Sequence, residues 1–502
     1  LLYQLTDSDS TFLFLDTDEQ LDKYLTIAAD CPKIKKAIVF ERKDLFDFKH
    51  EKVIFLDEIY KIGEQALKKK PDLFEIEISK NKASDVAIMV YTSGTTGHPK
   101  GVMLTNENLI YAISVGKVYL PSNENDELFC FLPLCHVYER LTSCMKPLSD
   151  KSTINFAESM ETVFEDIREV SPTLFYGVPR IYEKINSNFN IALSEATNLS
   201  KFIYERALKT SLKRVEFKMK NKKIPLTLNI RFFMYEFFVF RNLRRMIGFD
   251  RVKRAVTGAA PISPDLVKWF NALGIPLIEG YGMSETATVM TMNDPENNKV
   301  GTVGSWVPDA NVKISPEGEI QWKSPAVFAG YYKDNKRTSE AFTKDGYFKT
   351  GDKGKIEDGL LSITGRLKDI IITAGGKNIS PALIENYLKF SKYISDAIVI
   401  GDQRKYLTAL ILIDQENVEK FAQQNRIQYS DFSSLCNASE VKKLIAGEVD
   451  LVNLKLARVE QVKKFRLIDM LLTAEDDEMT ATMKLRRSYC ETKYEDLINS
   501  MY

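Results

Sequence analysis

Histidine is nearly absent from this chain: His50, His98 and His136 are the three in 502 residues. That scarcity argues against a multi-histidine metal centre and against most histidine-relay mechanisms. Cysteine is sparse as well. Cys31, Cys130, Cys135, Cys144, Cys436 and Cys490 form no CxxC pair and no disulfide framework, which suits ordinary thiols in a reducing compartment. No apolar run reaches about 18 residues, so no membrane span is expected. Net charge is missing too. Lys and Arg number 69 and Asp and Glu 69, which gives no reason to expect nucleic acid as a partner. The first residues, Leu1-Leu2-Tyr3, lack Met and the regions of a signal peptide, as in a fragment of a longer cytoplasmic protein. What is present is the composition of a globular protein, 44% hydrophobic and 27% charged, long enough for two or more cores.

The first 360 or so residues alternate short apolar runs with helical patterns, the mark of an α/β fold with parallel sheets. Strands are expected at 86–90, 128–132, 173–178, 252–256 and 275–278. A helix from about Asn106 would bury Leu109, Ile110 and Ile113, and a second would run from Ser263 and Pro264 to Gly274. Residues 179–248 read as a helical insertion. Within it, 231–245 spell RFFMYEFFVFRNLRR, an apolar block between arginines that suits either a core helix with solvated ends or a helix lying in a bilayer interface. After about Gly365 the pattern changes to a small α+β domain, with strands at 370–373, 397–400 and 408–413 and a helix begun by Ser380 and Pro381. The expected domains are therefore 1–365 and 366–502.

The densest chemical signal is YTSGTTGHPKG, Tyr91 to Gly101. Its glycines allow close backbone approach to a ligand, while Thr92, Ser93, Thr95 and Thr96 offer hydroxyls and Lys100 a cation, a set suited to phosphate. It is not a Walker A loop, since Lys100 follows Pro99 rather than Gly.

YTSGTTGHPKG resembles the phosphate loop of the adenylate-forming superfamily. The resemblance continues in order through FLPLCHVYER (131–140), YGVPRIYEKI (176–185), TGAAPIS (257–263), EGYGMSETA (279–287), YFKTGD (347–352), GRLKDIIITAGGKNISP (365–381) and TATMKLRR (480–487). The wording is most similar to the long-chain fatty acid–CoA ligase branch. It implies a large α/β nucleotide domain, incomplete at its start because the phosphate loop falls so early, and a mobile C-terminal lid. It also implies ATP, Mg2+ and coenzyme A as cofactors and co-substrates, and a fatty acid as substrate.

The resemblance carries roles onto single residues. Lys484 would bridge carboxylate and α-phosphate; Glu285, with Thr92, would hold Mg2+; His136 would line the acyl site. ATP would be bound by Thr92, Ser93, Gly94, Thr95, Thr96, Gly97 and Lys100, by Gly258, Ala259 and Ala260, and by Glu279, Gly280, Tyr281, Gly282 and Ser284. Tyr281 would stack on adenine, Asp352 would accept the ribose hydroxyls, and Arg366 would support ribose or phosphate. Lys368 would be the hinge, with Gly375 and Gly376 along the CoA channel. A fatty-acyl-AMP ligase that loads a carrier protein, and a non-enzymatic lipid-binding protein built on a truncated ligase, are the other readings. The sequence leaves oligomeric state open and gives 231–245 as the segment for any peripheral membrane contact.

Overall fold

The computed structural model describes residues 1–43, 45–92, 98–472, 476–479 and 485–502. It divides into two compact units, residues 1–107 with 328–339, and residues 108–327 with 340–502.

In the first unit, strands Phe12–Leu15, Lys36–Val39 and Val53–Phe55 form a parallel sheet. Helix Asp18–Leu25 packs Leu21 and Tyr24 into the same core as Leu15, Val39 and Phe55. The helix is capped by the Thr17 hydroxyl, which accepts from the Gln20 N–H, supplying a partner for one of the orphan donors of its first turn. Strands Val86–Thr92, Lys100–Thr105 and Gly330–Tyr331 form a second sheet, antiparallel throughout. This corrects the expected order of strand, loop and helix with only parallel pairing. The run GVMLT directly after Lys100 is itself a strand, and strands joined by so short a connection can pair only antiparallel. Pairing of Gly330 with Met103 and Tyr331 with Val102 is what draws residues 328–339 into this unit.

The second unit is built on a seven-stranded sheet among the described residues. Its order is Ser305–Trp306, Thr291–Met292, Leu277–Tyr281, Arg254–Thr257, Leu174–Gly177, Glu127–Cys130 and Thr153–Phe156. The last five run parallel, as the apolar runs predict for strands buried on both faces. Phe129, Phe175, Ala255 and Leu277 face one core, and Leu128, Tyr176, Val256 and Ile278 the other. Helix Asn106–Tyr119 buries Asn108, Leu109, Ala112 and Val115. Ile110, expected on that face, is 65% exposed, because the buried stripe follows 108, 112 and 115 and leaves 110 on the far side. Helix Pro264–Ala272 has Ser263 before it, Pro264 in its first turn and Gly274 at φ +81° after it, as its sequence predicts.

Residues between Gly177 and Arg254 leave and rejoin adjacent strands, so the expected helical insertion is there: helices Pro179–Glu195, Asn198–Met219 and Leu226–Tyr235, a π-helical turn Glu236–Phe240, and helix Arg241–Met246. Phe232 and Phe240 are buried in the core, whereas Phe233, Phe237 and Phe238 are exposed. A core-helix reading therefore holds for one edge of this segment alone. A four-stranded antiparallel sheet follows, Asn311–Ile314, Glu319–Lys323, Phe348–Glu357 and Leu360–Arg366. The C-terminal part carries strands Ile394–Ile400, Leu407–Ile413 and Val462–Leu467, covered by helices Pro381–Lys389, Gln415–Gln424 and Ser439–Asn453 around an apolar core. Strand Val462–Leu467 was not expected. Its VKKFRL pattern breaks the two-residue alternation, with charges at 463, 464 and 466, and reads weakly as a strand; the register shift at Lys463 is what returns Val462, Phe465 and Leu467 to one core.

Candidate active site

Three parallel strands of the seven-stranded sheet end next to three of the predicted motifs. Glu127–Cys130 leads to His136, Arg254–Thr257 to Gly258–Ala260, and Leu277–Tyr281 to Gly282–Glu285. The carboxyl ends of parallel strands are where open α/β sheets bind ligands. Backbone strain gathers here too. Ala259 has φ +65°, and Ala287 and Thr288, just after Glu285, have φ +45° and +62°. For residues with a Cβ these are costly conformations that persist only where the surroundings enforce them. Gly282 has no alternative, since a Cβ there would lie 2.1 Å from the Thr288 carbonyl oxygen.

Asp352 is the best defined of the predicted groups. The Tyr281 hydroxyl donates to its Oδ2 at 2.7 Å, and Arg366 Nε donates to its Oδ1 at 2.9 Å. Arg366 stands directly across from Asp352 on the paired strand, with its side chain half exposed while Asp352 is 5% exposed. The strand is braced from behind. Asp352 N–H donates to Thr350 Oγ1 at 3.1 Å, and that hydroxyl donates to the Ile320 carbonyl at 2.8 Å. The structure thus brings three separated motifs onto one carboxylate. A carboxylate has about four acceptor sites, so two remain for further donors such as vicinal hydroxyls. Burial, with Asp352 beside it, pushes the Tyr281 hydroxyl well above its ordinary range, which keeps it a donor.

Glu279 lies two residues before Tyr281 on the same strand, paired with Thr257 of the neighbouring strand. Its Oε2 is buried with no hydrogen-bond partner among the described residues, as is Thr257 Oγ1. Burial raises its carboxyl to about 8, against the pull of a hydrogen bond from the Gly301 backbone, so it is mostly neutral at pH 7. His136 precedes the short helix Val137–Glu139, and its Nδ1 accepts from the Tyr138 N–H at 3.2 Å. That bond assigns the proton to Nε2. Behind it the fully buried Glu139 accepts from the Phe131 N–H and the Ser143 hydroxyl. Glu139 and Thr350 were missed in the sequence. Each is polar and buried among apolar neighbours, and nothing in a single sequence separates that from a solvated position.

Lys368 lies in the turn Leu367–Asp369, and Gly375 and Gly376 are exposed in the turn between Ile371–Ile372 and Asn378–Ile379. Ser93, Gly94, Thr95, Thr96, Gly97 and Lys484 lie outside the described residues. Met479 bridges to Leu485, and Arg487 donates to the Val399 carbonyl and pairs with Glu385. In the first unit, Thr92 pairs with Lys100 across the antiparallel strands, and Lys100 Nζ lies 4.7 Å above the Tyr331 ring. No group of three or more His, Cys, Asp or Glu side chains gathers as a metal centre among the described residues.

The model of the AMP-binding enzyme family matches residues 1–332, and that of the AMP-binding enzyme C-terminal domain matches residues 368–502. The chain belongs to the AMP-binding enzyme family. Among curated AMP-binding relatives, it is 32% identical to the long-chain-fatty-acid–CoA ligase FadD15 of Mycobacterium tuberculosis over 99% of this chain and 81% of that protein. It is 29% identical to the long-chain-fatty-acid–CoA ligase ACSBG1 of Rattus norvegicus over 100% of this chain and 72% of that one. The adenylation domain of a carboxylate reductase from Mycobacterium chelonae shares the fold, with a TM-score of 0.72 at 21% identity over 100% of this chain and 74% of that domain. Its adenylate-forming fold, a large N-terminal domain followed by a C-terminal one, is the one the motifs imply.

Proposed function

We propose that this protein is an ATP-dependent long-chain fatty acid–CoA ligase. Its fatty acid carboxylate attacks the α-phosphate of ATP to give acyl-AMP and pyrophosphate, and the CoA thiol then displaces AMP to give acyl-CoA. The observation that carries this reading is the likeness to long-chain-fatty-acid–CoA ligases across nearly the whole chain. The braced Asp352 with Tyr281 and Arg366 supports it by offering a buried acceptor, a ring and a cation of the kind that a nucleoside monophosphate needs.

Bringing an anionic carboxylate to an anionic triphosphate requires cations and donors that cancel the repulsion, and positioning does most of the rest. We assign that charge cancellation to Lys484. The residues present fit Mg2+, which when bound neutralises phosphate charge: Glu285, an oxygen donor beside the strained Ala287–Thr288 turn, is the side chain we assign to hold it. None of the cysteines serves as nucleophile in this scheme, because CoA brings the thiol. Cys130, Cys436 and Cys490 are pushed up to about 12 by burial, which keeps them protonated thiols.

We take residue 365 as the boundary between the nucleotide domain and the lid, with Lys368 as the hinge. In support, helix Pro179–Glu195 meets the C-terminal part through polar contacts. Arg180 donates to the Ser395 carbonyl and hydroxyl, Asn417 donates to Ser187 and Lys184 pairs with Glu416. Polar interfaces of this kind exchange more readily than apolar ones. A pyrophosphate-release assay over saturated acids from acetate to stearate, with and without CoA, tests the function. Acids of about twelve to eighteen carbons are expected to be preferred, each buried CH₂ adding about 0.8 kcal/mol, or about fourfold. Best turnover of acetate or benzoate would overturn the long-chain assignment. A product that forms without CoA and waits on a carrier protein would redirect it to an acyl-AMP ligase.

A further inference from the structure

The helical insertion of the second unit carries a surface that the ligase reading does not use. Leu226, Ile230, Phe233, Met234, Phe237 and Phe238 recur at helical spacing along helix Leu226–Tyr235 and the turn after it, and all are 53–74% exposed. The other edge of the segment is fixed. Phe232 is 7% and Phe240 0% exposed. Arg214 stacks 4.1 Å from the Phe232 ring and donates to Asn229, and Arg244 pairs with Glu236. Six neighbouring apolar side chains held outward on an anchored helix form an interaction surface rather than scattered exposure.

Its surroundings are strongly basic. Residues 198–246 hold 13 Lys and Arg against 3 Asp and Glu, a net +10 in a chain whose total is 0. Lys222, Lys223, Arg231, Arg241 and Arg245 are exposed and in no ion pair among the described residues. A second copy docked on this face would bring like charges together, since a two-fold interface sets a patch against itself. A surface that is anionic outside and apolar within answers both features, and a phospholipid bilayer is such a surface.

We propose that the outward face of residues 226–241 docks on an anionic phospholipid bilayer, the apolar stripe entering the acyl boundary and the Lys and Arg rim meeting headgroup phosphates. This places the protein where long-chain fatty acids partition. The inference itself rests on the surface and not on the ligase reading, and vesicle binding is read without any turnover, so the two can fail separately.

The test is cosedimentation of the full chain with vesicles of phosphatidylcholine alone or with phosphatidylglycerol, at low and physiological salt. Binding is expected to be about tenfold or more tighter to the phosphatidylglycerol vesicles and to weaken with salt. The Phe237→Ser/Phe238→Ser variant should lose about tenfold. Lys222→Gln/Lys223→Gln/Arg241→Gln should lose on the order of 100-fold, at about fivefold per charge. Circular dichroism and the thermal midpoint check folding; should the phenylalanine variant fail to fold, the charge variant, which removes no core side chain, decides. Equal binding to both vesicle types, no binding to either, or a dimer that the phenylalanine variant abolishes would each overturn the proposal.

Discussion

The neutral carboxyl of Glu279 gives a quantitative test of how tightly the sheet end is closed. Burial raises it from 4.5 to about 8. At about 1.36 kcal/mol per pH unit this sets a ceiling of about 4.8 kcal/mol on its pH-dependent contribution. The sign follows from proton binding. Between pH 4.5 and 8 the folded state holds a proton that the unfolded state has released, so this contribution is fully present below 4.5 and is lost as pH rises to about 8. Glu279→Gln keeps the size and hydrogen-bonding capacity of the side chain and removes its titration. The wild type should therefore lose stability relative to the variant between pH 5 and 9. If half the ceiling is realised, the thermal midpoint should move by about 3 °C, at about 1.2 °C per kcal/mol for a unit of roughly 380 residues with an unfolding entropy of about 2.1 cal/mol/K per residue.

The assay is built into the chain. Its three tryptophans, Trp269, Trp306 and Trp322, all lie in the second unit, the one that contains Glu279. Trp306 pairs with Thr291, on the strand next to that of Glu279. Intrinsic fluorescence thus follows this unit without needing the first unit to melt with it. Comparing the two proteins at each pH cancels every other titrating group. Midpoints that move in parallel from pH 5 to 9 would refute the burial argument and place a solvated carboxylate at 279.

Two further outcomes test the proposed chemistry. Lys484→Ala should slow acyl-AMP formation roughly 10²–10³-fold, the range for losing one transition-state donor, while sparing thioester formation from supplied acyl-AMP; equal loss in both half-reactions would remove the assigned role. Tyr281→Phe deletes one hydrogen bond to Asp352 and should raise the KM for ATP about three- to tenfold. Asp352→Ala should raise it more. A fall in kcat with KM unchanged would separate these residues from nucleotide binding.

Much of the second unit could be read in the sequence because buried parallel strands leave uninterrupted apolar runs, such as LFC at 128–130 and LFYG at 174–177, and the chemistry-bearing residues sit in the turns that follow. What escaped depends on partners remote in sequence. Lys100–Thr105 is a strand because it lies between Val86–Thr92 and Gly330–Tyr331, and the last of these arrives more than two hundred residues later. Glu139 and Thr350 brace other residues from behind, and their burial is a property of the packed fold.

The meeting of Asp352 with Arg366 shows where local reading stops. Asp358-Gly359 is a strong hairpin signal, and both residues take positive φ, at +50° and +74°. Counting outward from that turn, Glu357 faces Leu360 and Gly354 faces Ile363, as observed. Continued without interruption, the same register would set Asp352 against Gly365, which has no side chain, and turn Arg366 toward the opposite face. Instead the pairing shifts between Lys353 and Gly354, so that Lys353 faces Gly365 and Asp352 faces Arg366. One extra residue, Thr364, bulges from the second strand, as bulges near functional sites often re-aim a side chain. The two motifs were each visible in the sequence, and the turn between them was too. Their contact depends on a single inserted residue whose effect appears only once the strands are paired.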